Sequence, residues 1–202
     1  PQEIKEYASA DDFKPTETAI APNGDIFIAD GYGKDFIIKY DSKGNYIKHF
    51  GGRGERSDQF DCCHGITLDT RDKNNSTLLI SSRTKNEFKR FDLNGNHIET
   101  ISLPGYWICR PVIKGKNLFF AVIITESWWN YDGMLAVLDI NNKIVSLPGG
   151  NLPKYKEVVI EKPIYDQKTF LNPHDVCIDN DGNIYVPQWN SGKTYPVKLI
   201  RT

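Results

Sequence analysis

One phrase recurs along this chain, and it limits the fold more than any other property. The first copy runs from Pro15 to Phe50 as PTETAIAPNGDIFIADGYGKDFIIKYDSKGNYIKHF. The second begins at Cys63, reads HGITLD, LLISSR and FKRFDLNGNHIETI, and ends near Leu103. A further copy opens at Pro173 with PHDVCIDNDGNIYVPQWN and closes with PVKLIRT. Each is a set of short runs of β-branched and aromatic residues separated by Asn-Gly, Lys-Gly-Asn or Asn-Gly-Asn turns, the pattern of successive hairpins. The expected unit is an antiparallel meander. A weaker copy lies between, with Asn117–Ile124 (NLFFAVII) and Met134–Asp139 (MLAVLD) as its clearest strands.

Stacked meanders predict a gradient in burial. Continuous apolar runs such as NLFFAVII suit strands covered on both faces, whereas FIIKYD and FKRFD suit strands with one face in solvent. No segment sustains helical periodicity, which argues against helix-bearing solenoids of similar repeat length. The reading is an all-β propeller in one domain, residues 1–202, with blades over about 9–50, 56–103, 105–148 and 169–202. The last copy holds only three candidate strands, and Glu3–Ala8 (EIKEYA) reads as an isolated strand that could complete it. Four blades are few for a ring, so the expectation is a six-bladed ring with two blades upstream of Pro1.

Charge narrows the partners. The 25 basic residues nearly balance the 26 acidic ones and are scattered among them, so there is no footprint for nucleic acid or anionic membrane. No apolar run reaches the length of a membrane span, and Pro1-Gln2-Glu3-Ile4 is neither a signal peptide nor an initiator methionine. Cys62, Cys63, Cys109 and Cys177 contain no CxxC pair and are too few for a disulfide scaffold. Neighbouring Cys62 and Cys63 are expected to be one buried and one half-exposed thiol. Overlapping glycosylation sequons occur at Asn74 and Asn75.

With these residues laid out, the repeats resemble NHL repeats, and most of the chain from Phe13 onward is similar to the peptidyl-α-hydroxyglycine α-amidating lyases, six-bladed zinc propellers, and their bacterial lookalikes. The resemblance is carried by Asp30-Gly31-Tyr32, by His64 in CCHGITLD, by Arg83 in SSRTKNEFKRFD and by His174 in NPHDVCIDNDGNIYV. It implies that His64 and His174 are zinc ligands and that Tyr32 and Arg83 are catalytic. It also implies a peptide or small-molecule substrate, a structural calcium and an extracellular or periplasmic location. Aligning the copies puts Thr16, His64 and His174 at one position, at the start of the innermost strand of three blades, from which side chains converge on the central channel. Neutral imidazoles suit Zn²⁺, and three protein ligands with one open position mark a catalytic site. The family's third histidine and a second arginine come from a blade that would precede Pro1, and Gly33 stands where the family has a disulfide cysteine beside the tyrosine.

Other patterns read as structural. Asp179-Asn180-Asp181-Gly182 lacks the ligand spacing of a calcium loop and suits a hairpin turn. Gly51-Gly52-Arg53-Gly54 leads into no helix, so it is a linker and not a phosphate loop. Trp128, Trp129 and Trp189 can line a pocket or pack over a sheet edge. Two functions follow: a zinc-dependent lyase cleaving a C–N bond at the channel, or a non-catalytic propeller binding a protein, peptide or glycan on one face.

Overall fold

The computed structural model describes residues 1–202 except Val158, Lys162, Asp166 and Gln167. The chain divides into two compact units, Pro1–Ser102 and Leu103–Thr202. The first holds two four-stranded antiparallel meanders: β1 (Glu17–Ile20), β2 (Ile26–Ala29), β3 (Phe36–Tyr40) and β4 (Tyr46–Gly51), then β5 (Cys63–Asp69), β6 (Thr77–Ser82), β7 (Glu87–Phe91) and β8 (His97–Ser102). The second holds a meander of β9 (Val112–Lys114), β10 (Asn117–Val122), β11 (Met134–Leu138) and β12 (Ile144–Ser146). After it come a small hairpin, β13 (Tyr155–Lys156) and β14 (Val159–Ile160), and a three-stranded sheet of β15 (Cys177–Ile178), β16 (Ile184–Val186) and β17 (Val197–Leu199).

The hairpins are closed by one local device. Asp41, Asp92 and Asp139 end a third strand, and one carboxylate oxygen of each accepts backbone N–H groups two and four residues on, at 2.8–2.9 Å. Asp179 plays the same part between β15 and β16 through the Asn183 N–H at 2.8 Å, and Gly182 takes φ +86°, so this segment is a turn as expected.

Between β1–β4 and β5–β8 the core is built from Phe27, Ala29, Ile37, Phe60, Ile66, Leu78, Ile80 and Phe91, all fully or almost fully buried. The second unit packs Cys109, Ala121, Ile123, Leu135, Phe170, Val176 and Val186. Strands β10 and β11 occupy the middle of their sheet, which is why their apolar runs are continuous.

Two expectations are corrected. FIIKYD and FKRFD do not turn a face to solvent: Lys39 and Lys89 are buried. Lys39 Nζ lies 2.9 Å from Asp25 and donates to the Leu93 carbonyl at 3.1 Å, while Lys89 Nζ lies 3.0 Å from Glu87 and donates to the Ser57 carbonyl at 2.8 Å. Alternation locates the charged positions, but acceptors from neighbouring loops replace water around them. The register also shows a recurrent cation on the third strand, with Lys39 opposite Phe27, Arg90 opposite Leu79 and Lys198 opposite Tyr185.

The second correction concerns Glu3–Ala8, which forms no strand. Its backbone makes turns, Ile4 N–H to the Pro1 carbonyl and Tyr7 N–H to the Ile4 carbonyl, ahead of a 3₁₀ turn at Ala10–Asp12. The two residues it sinks, Ile4 and Tyr7, are three apart. That spacing puts both on one side of a turn, where a strand would send them to opposite faces. Ile4 is 1% exposed, and the Tyr7 ring meets Phe13 and Phe36 edge-on, each at 6.0 Å between centroids.

Candidate active site

Tyr32 stands at the tip of the loop between β2 and β3, and two fully buried carboxylates shape that loop. Asp30 Oδ1 accepts the Lys14 N–H at 2.6 Å, and its Oδ2 accepts the Lys34 N–H at 2.7 Å and the Tyr7 hydroxyl at 2.5 Å. Asp35 Oδ1 accepts the Cys63 N–H at 2.7 Å, and its Oδ2 accepts Arg53 Nε at 2.8 Å. Buried carboxylates are tolerable only when so fully bonded, and here the bonds fasten loop to neighbours on both sides. A Cβ on Gly33 would come within 2.2 Å of the Asp30 carboxylate and 2.4 Å of the Asp12 carbonyl, so no side chain fits where the resemblance would place a cysteine. Burial raises the Tyr7 hydroxyl pKa far above its ordinary value, and the bond to Asp30 adds to the rise, so Tyr7 is a neutral donor.

His64 owes its placement to a β-bulge. Strands β5 and β6 pair regularly from Asp69↔Thr77 to Ile66↔Ile80, then slip to Cys63↔Ser82, so His64 and Gly65 together face Ser81. The fully buried Ser81 hydroxyl fills the gap, accepting the Gly65 N–H at 2.7 Å and lying 3.4 Å from the Gly65 carbonyl. A bulge re-aims the side chains it carries.

The loop and the bulge bring Tyr32, His64 and Arg83 together within the first unit. The Tyr32 and His64 rings meet edge to face with centroids 5.3 Å apart, and Arg83 Nη1 makes a long contact of 3.5 Å with the Tyr32 hydroxyl. Arg83 and His64 are buried, whereas Tyr32 is 55% exposed and forms the open side of the cluster. The Arg83 N–H donates to the Cys62 carbonyl at 3.0 Å. Cys62 has φ +59° and is half-buried beside fully buried Cys63, so the pair of thiols is divided as expected. Burial pushes the Cys62 thiol up to about 11 despite the nearby Arg83 charge, which leaves it un-ionised and inert.

In the second unit His174 occupies the equivalent position: Pro173 bridges Gln188 as Cys63 pairs with Ser82, and the His174 N–H donates to the Pro187 carbonyl at 2.9 Å. The same register reveals a member that the sequence reading missed. Ile108 bridges Val122, so the buried Cys109 holds the histidine position in the weak copy, its N–H donating to the Ala121 carbonyl at 2.9 Å. Neither residue type nor local pattern marks it; only the pairing does. Among the described residues no group of three or more His, Cys, Asp and Glu side chains could hold a metal, so the Tyr32 cluster offers zinc the one imidazole of His64 and no complete ligand set.

Trp128, in the long connection between β10 and β11, meets Trp107 and Trp189 edge to face at 6.0 and 5.9 Å. The connection is organised by the buried Asp132, which accepts the N–H groups of Thr125, Glu126 and Ser127. A separate groove of about 1000 Å³ in this unit is lined by Lys114, Phe119, Val137, Ile178, Lys198 and Arg201 and includes none of the expected site residues. No helix among the described residues is long and apolar enough to cross a membrane.

No family model matches the chain. The peptidyl-α-hydroxyglycine α-amidating lyase 1 of Drosophila melanogaster is 28% identical over 194 residues, 88% of this chain and 33% of that protein. A probable enzyme of the same name in Caenorhabditis elegans is 40% identical over 57 residues, 27% of this chain and 16% of that protein. Among solved structures, a Bacteroides caccae protein of unknown function superposes with TM-score 0.60 at 15% identity over 92% of this chain and 63% of that one. Virginiamycin B lyase from Staphylococcus aureus superposes with TM-score 0.56 at 18% identity, over 86% and 48% of the two chains. This chain therefore spans a third or less of these two curated relatives, and over that span it resembles the NHL-type, lyase-like β-propellers that the amidating lyases represent.

Proposed function

We propose that the chain contributes the Tyr32–His64–Arg83 portion of a lyase centre that cleaves a C–N bond in a hydroxyglycine-type substrate. The observation that supports this reading is the meeting of these side chains through two separate backbone devices, a carboxylate-braced loop and a bulge. In such a cleavage the substrate hydroxyl loses its proton, the C–N bond breaks, the carbon becomes a carbonyl and the departing nitrogen gains a proton to leave as an amide. Tyr32, exposed and beside a guanidinium, is placed to take or return a proton at its phenolic oxygen. Arg83, buried and permanently charged, stabilises negative charge developing on oxygen. His64 lies against the Tyr32 ring and limits its rotation.

Zinc belongs to the proposal through His64 and His174, each a single imidazole at the repeat position. Bound at either position it would supply Lewis acidity, and a single imidazole falls short of the three protein ligands of a catalytic site. An exported location, extracellular or periplasmic, belongs to the same reading.

The indoles at Trp107, Trp128 and Trp189 favour a second reading, a non-catalytic face that binds a peptide, protein or glycan, because Trp189 and the neighbouring Trp129 are largely exposed. Elemental analysis of protein purified without a metal column, beside His64→Ala and His174→Ala, separates the two. Zinc content that falls in the variants, with turnover of a peptidyl-hydroxyglycine, is the result expected of the lyase. Folded protein with neither metal nor turnover rules the lyase out for this chain and leaves the binding reading.

A further inference from the structure

We propose that Ser81 is a positioning residue for His64, holding the bulge that aims the imidazole at Tyr32. The proposal rests on the functional reading of His64 given above, but its evidence is separate and lies in the pairing of strands.

The register assigns each sheet one second-strand residue next to the histidine position. In the first sheet it is Ala29, which pairs with Glu17 in an unbroken ladder continuing to Ile20↔Ile26. In the third and fourth it is Ala121 and Pro187, whose carbonyls accept the N–H groups of Cys109 and His174, each at 2.9 Å. Only in the second sheet does this position carry a hydroxyl. There the bulge sets Gly65 against Ser81, and Ser81 Oγ accepts the Gly65 N–H at 2.7 Å. A buried N–H left unbonded would favour closing the bulge or shifting the register by one residue. A one-residue shift sends a side chain to the other face of its strand, so the His64 imidazole would leave the Tyr32 ring. The serine is thus matched to the bulge, and the bulge to the histidine.

A second brace acts on the same turn from the other side, where the Asp35 carboxylate holds the Cys63 N–H at 2.7 Å. His64 is therefore fixed by one bond before the bulge and one within it. Ser81 is the member that can be changed without removing a buried charge.

The test is a ring-current measurement. In wild-type protein the His64 ring lies beside Tyr32, so its protons are expected to carry a displaced NMR signal, assigned as the one lost in His64→Gln and moved in Tyr32→Leu. Ser81→Ala is expected to move that signal towards its random-coil position while the His49 and His97 signals stay, and Ser81→Thr, which keeps the hydroxyl, to restore it. Ser81→Cys, close in size and a weaker bonding partner, is expected to give a smaller displacement in the same direction and serves if the alanine variant does not fold. Where turnover is measurable, kcat is expected to fall about tenfold to a hundredfold in Ser81→Ala with little change in KM. An unmoved His64 signal in folded Ser81→Ala or Ser81→Cys overturns the proposal. A moved signal in a protein with neither zinc nor turnover leaves the positioning role standing and removes the lyase reading instead.

Discussion

The two sheets of the first unit share order, hairpin chemistry and nearly the same core, yet they treat the start of their first strand in opposite ways. In the first, Thr16 continues a regular ladder and spends its hydroxyl on the carbonyls of Ala29 and Cys63, at 3.2 and 3.1 Å. In the second, His64 rides on a bulge and takes part in a cluster with Tyr32 and Arg83. One repeat position therefore serves as a joint in one sheet and as a member of a side-chain cluster in the next. The difference is made by backbone register as much as by residue type. The second sheet also carries a stronger clamp, for Asp69, at the end of β5, is almost fully buried between Arg71 and Arg90, each bonded at 2.7 Å.

The largest effect that can break this comparison lies in that clamp. Asp69→Asn removes the carboxylate that Arg71 and Arg90 share, although Arg90 keeps Glu99 at 2.7 Å, and is expected to cost about 3–5 kcal/mol, read as a lower urea midpoint with unchanged m. The Asp25→Asn change in the first sheet, where the charged partner is Lys39, should cost less. Burial by itself would raise the Asp69 pKa, but the hydrogen bonds from Arg71 and Arg90 outweigh it and hold the carboxyl down at about 2. A carboxyl depressed on folding stabilises above its unfolded value near 4. That contribution, about 2 kcal/mol, should vanish as the pH falls from about 4 towards 2, and Asp69→Asn should flatten this limb of the curve.

A middle effect comes from Gly31, where the loop of one sheet touches the strand of the other. A Cβ there would sit 2.6 Å from the Cys63 carbonyl oxygen. Gly31→Ala is expected to cost about 1–3 kcal/mol and to disturb the His64 and Tyr32 signals together. The smallest is Thr16→Val, which keeps the shape and removes the hydroxyl. A loss of about 1 kcal/mol in thermal or urea unfolding, with the His64 signal unmoved, would sharpen the distinction between the joint and the cluster position.

Much of the fold was legible because turns and apolar runs are local properties. Asn-Gly and Lys-Gly-Asn marked the hairpins, and NLFFAVII and MLAVLD marked the middle strands. Tyr32, His64 and Arg83 were legible as residues, through resemblance, but the bulge was not, since HGI carries no signal of a missed pairing. Lys39 and Lys89 were misjudged because a charge in an alternating run looks solvated until the loop carbonyls around it are known. Asp30 was legible only as part of Asp30-Gly31-Tyr32 and Asp35 not at all, for their structural weight comes from backbone N–H groups as distant as Lys14 and Cys63. Glu3–Ala8 failed for the opposite reason: a few alternating residues looked like a strand, and contacts at a spacing of three made them a turn.

The crowded α-carbon of Gly33 has one more consequence. With no room there for a sulfur-bearing side chain, the segment that presents Tyr32 is fastened by carboxylates, a phenol and backbone hydrogen bonds such as Tyr32 N–H to the Lys14 carbonyl. Its order does not depend on the redox poise of the surroundings, so thiol reductants should leave the Tyr32 segment as they find it, in an oxidising compartment or a reducing one.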